Sequence, residues 1–475
     1  MPMYQYNLHF LSLLGCLTLT FALHAQQVQV SDHDNVANEL DYQLIGRFDD
    51  QVLLYRKTET KFYVQSFSYE NLQHNWVKTI EFDHKEVTPF KIVPHKHSFS
   101  ILYYYHQKGD TYVRGCEFSK TAEEMLDFPM GTFDGSFSLR RQHTTQAANK
   151  RYLVVYLPLY NGSIEVVNFD FDQKKTLWQQ RLSYPGLTYM QHFKQLLVNN
   201  KGEVYTVYTQ YNNKRQRKKH QFVIHRMDPS GDSQEQIIPF YEYQSYDMSI
   251  QYDEINHRLV AAGLYATEQT NLSNGIFYFN TDFRTVPTVQ TSALEEGFMR
   301  SLTGKRKKKL IGIQNFAICQ VVLRKDGGAL LIAEQRFSYE STAAFYEEER
   351  DIPQADYLYE NILVASIHPS GKVYWKDVLF KSQSSENDEG RYSSFFTVKT
   401  NSNIRFVYNN DISWDTSIFE YVINSQGQVR RNVVTHQERK NGLLPQLSSG
   451  LQVSASEMLA LSERDQKLRV LKINY

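Results

Sequence analysis

Cysteine is scarce in this chain, and net charge is absent. Three cysteines in 475 residues exclude a disulfide-stapled framework. Cys16 lies in the apolar N-terminal stretch. Cys116 and Cys319 fall in distant repeat units, whereas a bridge needs Cα atoms within about 7 Å, so both read as free, buried thiols. Lys plus Arg equals Asp plus Glu at 52 each, which leaves no overall field to draw in nucleic acid or an acidic membrane. Beyond the N-terminus no apolar run is long enough to cross a bilayer. The common catalytic signatures are also missing. There is no Gly-x-Ser-x-Gly elbow, no phosphate-binding Gly-x-x-x-x-Gly-Lys-Ser/Thr loop, no His-Glu-x-x-His and no paired Cys-x-x-Cys. No metal site or cofactor is expected.

What the chain has in abundance is β-forming material, with 33 Tyr and 29 Phe. From about residue 50 onward, two strand-like runs joined by a turn recur roughly every 50 to 75 residues. The pairs are Gln51–Lys57/Phe62–Phe67, Ser98–Gln107/Thr111–Phe118, Lys150–Leu157/Ser163–Phe169, Gly202–Gln210/Gln221–Met227, His257–Tyr265/Gly275–Phe279, Gly327–Gln335/Asn361–Ile367, Asn403–Asn409/Ser417–Val422 and Glu457–Leu461/Leu468–Ile473. Runs such as Tyr152-Leu153-Val154-Val155-Tyr156 are apolar throughout, as suits strands covered on both faces. Turn residues separate the units, as in Asp228-Pro229-Ser230-Gly231, His368-Pro369-Ser370-Gly371 and Asn424-Ser425-Gln426-Gly427. Flanking candidates, Tyr42–Phe48 and Trp76–Phe82 in the first unit, bring each unit to four strands. The expectation is an all-β chain forming a single β-propeller of eight four-stranded blades over residues 26–475. Seven blades, or two side-by-side β domains, are the alternatives. The last pair leaves no room for a fourth strand, so Gln27–Val30 is predicted to complete the last blade and close the ring.

The N-terminus reads as an export signal. Asn7–Leu23 is mostly apolar, Ala25 offers a small residue for cleavage, and polar Gln26-Gln27 follows. Met1–Tyr6 carries no Lys or Arg, which departs from the usual signal, and a buried N-terminal helix is the other reading. A lipoprotein reading also exists, because Leu13-Leu14-Gly15-Cys16 resembles a lipidation box, although the apolar run continues to Leu23. Residues 1–25 are therefore expected to be a signal peptide, with the mature chain in the periplasm, on the outer-membrane surface or outside the cell.

Several short motifs sit within residues 326–411. They are Asp326-Gly327-Gly328, Ala333-Glu334-Gln335, Tyr357-Leu358-Tyr359-Glu360-Asn361-Ile362, Tyr392-Ser393-Ser394-Phe395 and Tyr408-Asn409-Asn410-Asp411. This stretch resembles a group of uncharacterised secreted proteins of Bacteroidota-type bacteria, with the last motif departing from a compact Phe-Asn-Asp. The resemblance implies an exported propeller and carries no catalytic residues.

Charge is neutral overall but blocked along the chain. Basic clusters occur at Lys214–His220 and Lys305–Lys309, and acidic ones at Glu347–Asp351, Glu386–Glu389 and Asp411–Asp415. If the pairs are the middle strands of blades, all five fall on one face. Each alone reads as a solvated loop; together they suit a partner of complementary charge. Phe337–Asp356 is long for a hairpin connection and carries Tyr339, Phe345 and Tyr346, as binding or capping loops do. His95-Lys96-His97 and Asp170-Phe171-Asp172 could each offer part of a metal site, and rim histidines and turn carboxylates are the simpler readings.

Glu334 ends an apolar strand and is costly to bury unpaired. It could pair with Asp411 across a funnel, as the two carboxylates of glycoside-cleaving enzymes do, or be satisfied by Arg336 or Arg391. The candidate binding residues are Glu334, Gln335, Tyr339, Tyr357, Tyr359, Arg391, Tyr392, Asn409, Asp411 and Trp414. The leading expectation is an exported, non-enzymatic, monomeric binding or scaffold protein that meets a protein or glycan at this face. A hydrolytic propeller and an outer-membrane lipoprotein subunit are the alternatives.

Overall fold

A computed structural model describes residues 27–475, apart from 141–142, 268–270, 305–309, 344–351, 413–416 and 437–441. The expected signal peptide, Cys16, Trp414, the basic cluster at 305–309 and the acidic cluster at 347–351 lie outside the described residues. The strands assemble into eight antiparallel sheets, seven of them meanders of consecutive strands. Blade 1 is Asp41–Phe48, Gln51–Lys57, Phe62–Ser68 and His74–Ile80. Blades 2 to 7 occupy 88–133, 144–182, 193–239, 244–293, 316–386 and 396–436. Blade 8 takes three strands from 451–474, and Gln27–Val30 supplies the fourth by pairing with Lys467–Asn474. The ring therefore closes as expected, eight blades replace the seven-blade alternative, and each predicted pair forms the middle of a blade.

The reason the middle strands are apolar on both faces lies between the blades. Eight clusters of buried side chains occur, one at each blade boundary. Phe99, Tyr103 and Phe118 of blade 2 pack against Leu53, Tyr55 and Val64 of blade 1. Leu459 and Leu461 of blade 8 meet Leu44 and Val52 of blade 1, so closure buries the same kind of core as every other boundary. Cys116 is buried and Cys319 half-buried, and both are free thiols.

Side-chain amides also clasp backbone across the boundaries. Gln195 Nε2 donates to the Ile250 carbonyl (2.9 Å) while its Oε1 accepts from the Ile250 N–H (3.0 Å). Asn212 holds Ser245 in the same way, both bonds at 2.9 Å. Gln452 holds Lys399, and Gln179 holds Thr132. Each amide acts as one extra backbone unit for a strand that has no sheet neighbour on that side.

The third-to-fourth turns pack on the preceding blade. Trp178 and Trp375 donate their indole N–H groups to the Asp228 and Ser425 carbonyls of the next blade. Gly427 has φ 82°, and a Cβ there would lie 2.6 Å from the Trp375 ring. Both the left-handed backbone and the close approach require glycine at this turn.

Because neighbouring strands in every blade are antiparallel, the second-to-third turns and the links to the next blade share one face. The first-to-second and third-to-fourth turns share the other. The 337–356 segment, expected to be a loop, is instead mostly strand. Ala329–Ala343 and Ile352–Ile367 remain paired from Ala329↔Ile367 out to Ala343↔Ile352, with a register shift between Glu334 and Arg336. Gln383–Glu386 adds a third strand along Asp356–Tyr359. The alternation of small and polar residues in this hairpin resembles a loop in sequence, yet backbone pairing is what holds it.

Candidate functional site

The candidate site is the loop-rich face over blades 6 to 8, where the ribbon leaves blade 6. Glu334 is fully buried at its base. Lys381 Nζ lies 2.7 Å from Glu334 Oε1, and neither side chain is exposed. Lys381 also donates to the Tyr359 carbonyl (3.1 Å) and to Gln383 Oε1 (2.7 Å), which hold the ammonium beside the carboxylate. Burial pulls the Lys381 ammonium below its ordinary pKa, and the Glu334 carboxylate opposes that pull. The other oxygen, Oε2, accepts from Arg336 Nε (2.9 Å) and from Ser394 Oγ (2.7 Å). The bulge at Gln335 sits between the two charged residues, and Gln335 Nε2 donates to the Gln314 carbonyl (3.2 Å). Arg336 lies over the Tyr359 ring, 5.0 Å from its centroid, and also contacts Cys319 Sγ (3.2 Å).

From this base the network runs across three blade boundaries, 6/7, 7/8 and 8/1. Ser394 holds a left-handed backbone, φ 67°, which positions its hydroxyl on Glu334 and its N–H on Gln383 Oε1 (2.8 Å). Gln383 Nε2 donates to the Asn409 carbonyl (2.7 Å). Asn409, itself buried, donates to the Tyr392 and Pro445 carbonyls at 2.9 and 2.7 Å. Tyr392 donates to the Glu463 carbonyl (3.2 Å), and Arg391 forms an ion pair with Glu463 (3.0 Å) while lying over the Tyr42 ring. Tyr42 donates to Glu463, and burial, then this bond, push its phenol well above the usual range.

Six of the ten predicted residues thus meet in one network joining blades 6, 7, 8 and 1: Glu334, Gln335, Tyr359, Arg391, Tyr392 and Asn409. Tyr339 and Tyr357 lie on the ribbon. Tyr339 is exposed and stacks on Phe337. Asp411 is exposed in the turn of blade 7. The pairing of Glu334 with Arg336, anticipated as one way to satisfy it, is present. Lys381 and Gln383 carry no motif, and Ser394, although it falls within Tyr392-Ser393-Ser394-Phe395, is not among the candidate binding residues. Held by two cations and a hydroxyl and closed to water, Glu334 is arranged for holding structure rather than for proton transfer to a substrate.

Other candidates have structural partners. His95 Nε2 lies 2.8 Å from Ser100 Oγ, and burial holds its pKa down at about 4. Asp170 forms a two-bond contact with Arg151 and accepts the turn N–H groups of Asp172 and Gln173. No group of three His, Cys, Asp or Glu residues that could hold a metal ion occurs among the described residues. In the basic cluster, Arg217 donates to the Thr267 carbonyl (2.7 Å), and His220 is buried against the Tyr243 carbonyl (2.9 Å).

No family model matches this chain. No curated protein matches it either. Solved structures do. The Dos1 propeller is similar at 9% identity and TM-score 0.46, covering 94% of this chain and 95% of that one. A putative 6-phosphogluconolactonase from Bacteroides uniformis is similar at 13% identity and TM-score 0.38, over 84% and 99%. The propeller domain of the Trilobed protease from Pyrococcus furiosus is similar at 9% identity and TM-score 0.33, over 86% and 98%. The eight-bladed architecture rests on the sheets themselves.

Proposed function

We propose that this chain is an exported, non-enzymatic binding or scaffold protein whose partner is a protein held at the blade 6 ribbon. The observation that carries this reading is the ribbon itself. A second-to-third hairpin extends well past its blade, gains a third strand, and stands on a buried ionic base that fixes its angle. A projecting ribbon that carries an exposed Tyr339 stacked on Phe337 offers both a strand surface and an aromatic anchor to a partner. Export rests on the N-terminal sequence and on the resemblance to secreted proteins.

A photo-crosslinking residue at Tyr339 tests the reading in cells that make the protein. The expected result is a discrete adduct that is absent with the same residue at Tyr160, a fully exposed site on blade 3. It should also be lost when 338–357 is replaced by a two-residue turn. No adduct, or the same adducts from both positions, would sink it. Mass spectrometry of the mature N-terminus should find Gln26. An acylated Cys16 would instead establish the lipoprotein alternative.

A further inference from the structure

On the opposite face, blades 4 and 5 enclose a cleft of about 560 Å³, within the roughly 300–1,000 Å³ range of small-molecule sites. Blade 4 contributes Lys201, Glu203, Tyr205 and Arg226; blade 5 contributes Tyr252, His257, Arg258 and the turn Asp282-Phe283-Arg284. Four permanent cations thus face two carboxylates. Glu203 is already engaged: it pairs with Arg226 and accepts from Tyr205 (2.8 Å) and Asn199 (2.6 Å). Among the described residues Asp282 contacts only Arg284, accepting its backbone N–H (3.0 Å) and lying 3.5 Å from its Nε, and that side chain is largely exposed. Among the described residues Arg258 has neutral acceptors alone, Asn280 Oδ1 and the Gly327 carbonyl, both at 3.2 Å. Its Nε is buried with no acceptor among the described residues. Glu254, just outside the cleft, has one oxygen on the Asn200 N–H (2.7 Å).

Aromatic residues form the rest of the wall. Tyr205 stacks on Tyr252 with centroids 5.6 Å apart and meets Phe283 at 5.9 Å. Tyr252 and Phe283 are both partly open to water. Phe283 holds a left-handed backbone, φ 68°, kept there by its N–H bond to Thr281 Oγ1 (3.0 Å). That conformation is costly for a bulky residue, and here it places the ring at the cleft.

We propose that this cleft binds an acidic saccharide. Its carboxylate or sulfate sits on Arg258, Lys201 and Arg284, and its ring packs on Tyr252 and Phe283. Arg258 and Lys201, which make no ion pair among the described residues, recognise the anionic substituent with the exposed Arg284 beside them, and the adjoining aromatic faces suit the apolar face of a pyranose. A bare anion would leave the aromatic wall unused, and a neutral sugar would leave the cations uncompensated.

Calorimetric titration of the full chain tests this with four probes: a hexuronic acid trisaccharide, a sulfated disaccharide, a neutral trisaccharide and inorganic sulfate. The expected result is that at least one acidic sugar binds about tenfold or more tightly than the neutral sugar and than sulfate. The two acidic probes tell carboxylate from sulfate recognition. Lys201→Met with Arg284→Met should weaken that binding by about tenfold at an unchanged thermal midpoint, and Tyr252→Ala should weaken it too. The proposal is overturned if neither acidic sugar binds at millimolar concentration. It is also overturned if the neutral sugar or sulfate binds equally well, or if the double variant binds like the parent.

Discussion

The base of the ribbon and the cleft between blades 4 and 5 are built from the same residue types, yet they use them in opposite ways. At the ribbon, Glu334, Lys381 and Arg336 face one another with matched partners, and Glu334 and Lys381 are sealed from water. At the cleft, Arg258 and Lys201 make no ion pair among the described residues, and the space before them is open. A matched buried charge fixes geometry, because moving either partner leaves a charge stranded in a poor solvent. An unmatched charge beside a cavity retains its capacity to bind. The difference separates a support from a receptor site more sharply than residue type does.

The comparison can be broken most severely at Glu334. Glu334→Leu strands Lys381, and we expect a loss of about 3–5 kcal/mol in denaturant unfolding. Adding Lys381→Met should restore much of that loss, a coupling visible in a double-mutant cycle. Next comes the clasp at the 4/5 boundary. Gln195→Ala leaves both the N–H and the C=O of Ile250 unpartnered and should cost about 1–3 kcal/mol by the same measurement.

The same boundary has a pH dependence. Burial holds His220 down at about 4, below the ordinary value of 6.5, and does the same to His225, which stacks on Tyr184 at the neighbouring 3/4 boundary. His220 donates through Nδ1 to the Tyr243 carbonyl, and its Nε2 is buried without a partner among the described residues. Between about pH 6.5 and pH 4 the unfolded chain binds protons that the folded chain refuses, so stability falls as pH falls through that window. Above it these groups contribute no slope. His220→Phe keeps a ring between Phe222 and Phe240 and should make the decline in thermal midpoint shallower. The smallest effect belongs to the cleft. Lys201→Met should change stability by less than about 0.5 kcal/mol while weakening acidic-sugar binding. A large stability loss there would erase the distinction between the two regions.

How much of this can be read in the sequence follows from where burial falls. The middle strands are legible because covering both faces of a sheet demands unbroken apolar runs, as in Ile101–Tyr105. The closing strand Gln27–Val30 is legible because the last pair lacks a neighbour. Glu334 stands out because a carboxylate at the end of an apolar strand needs a partner, and Arg336, two residues on, was a natural one. Lys381 does not stand out: it lies after an ordinary outer strand, and only folding brings it to Glu334. The ribbon is misread as a loop because its pairing is a backbone property that polar residues such as Ser338 and Ser341 conceal. The cleft is silent for a similar reason. Lys201 and Arg284 come from two turns and Arg226 and Arg258 from two strands, well apart along the chain, and no short window of sequence contains more than one of them. The conspicuous basic run at Lys214–His220, by contrast, places Arg217 and His220 on backbone carbonyls.

The closing strand also sets a timetable. Ser31 exchanges hydrogen bonds with Val470, 439 residues further along the chain. At synthesis rates of about 5–20 residues per second, the first strand waits roughly 20–90 s for its neighbour to be made. Until then Gln27–Val30 has no partner strand, and the blade 8 end of the 8/1 core is missing. Any product cut short before Lys467 cannot close its ring, so it leaves an open edge that proteases and holding chaperones can recognise. Completion of the ring is therefore a readout of synthesis through Lys467–Asn474, written into the order of the strands.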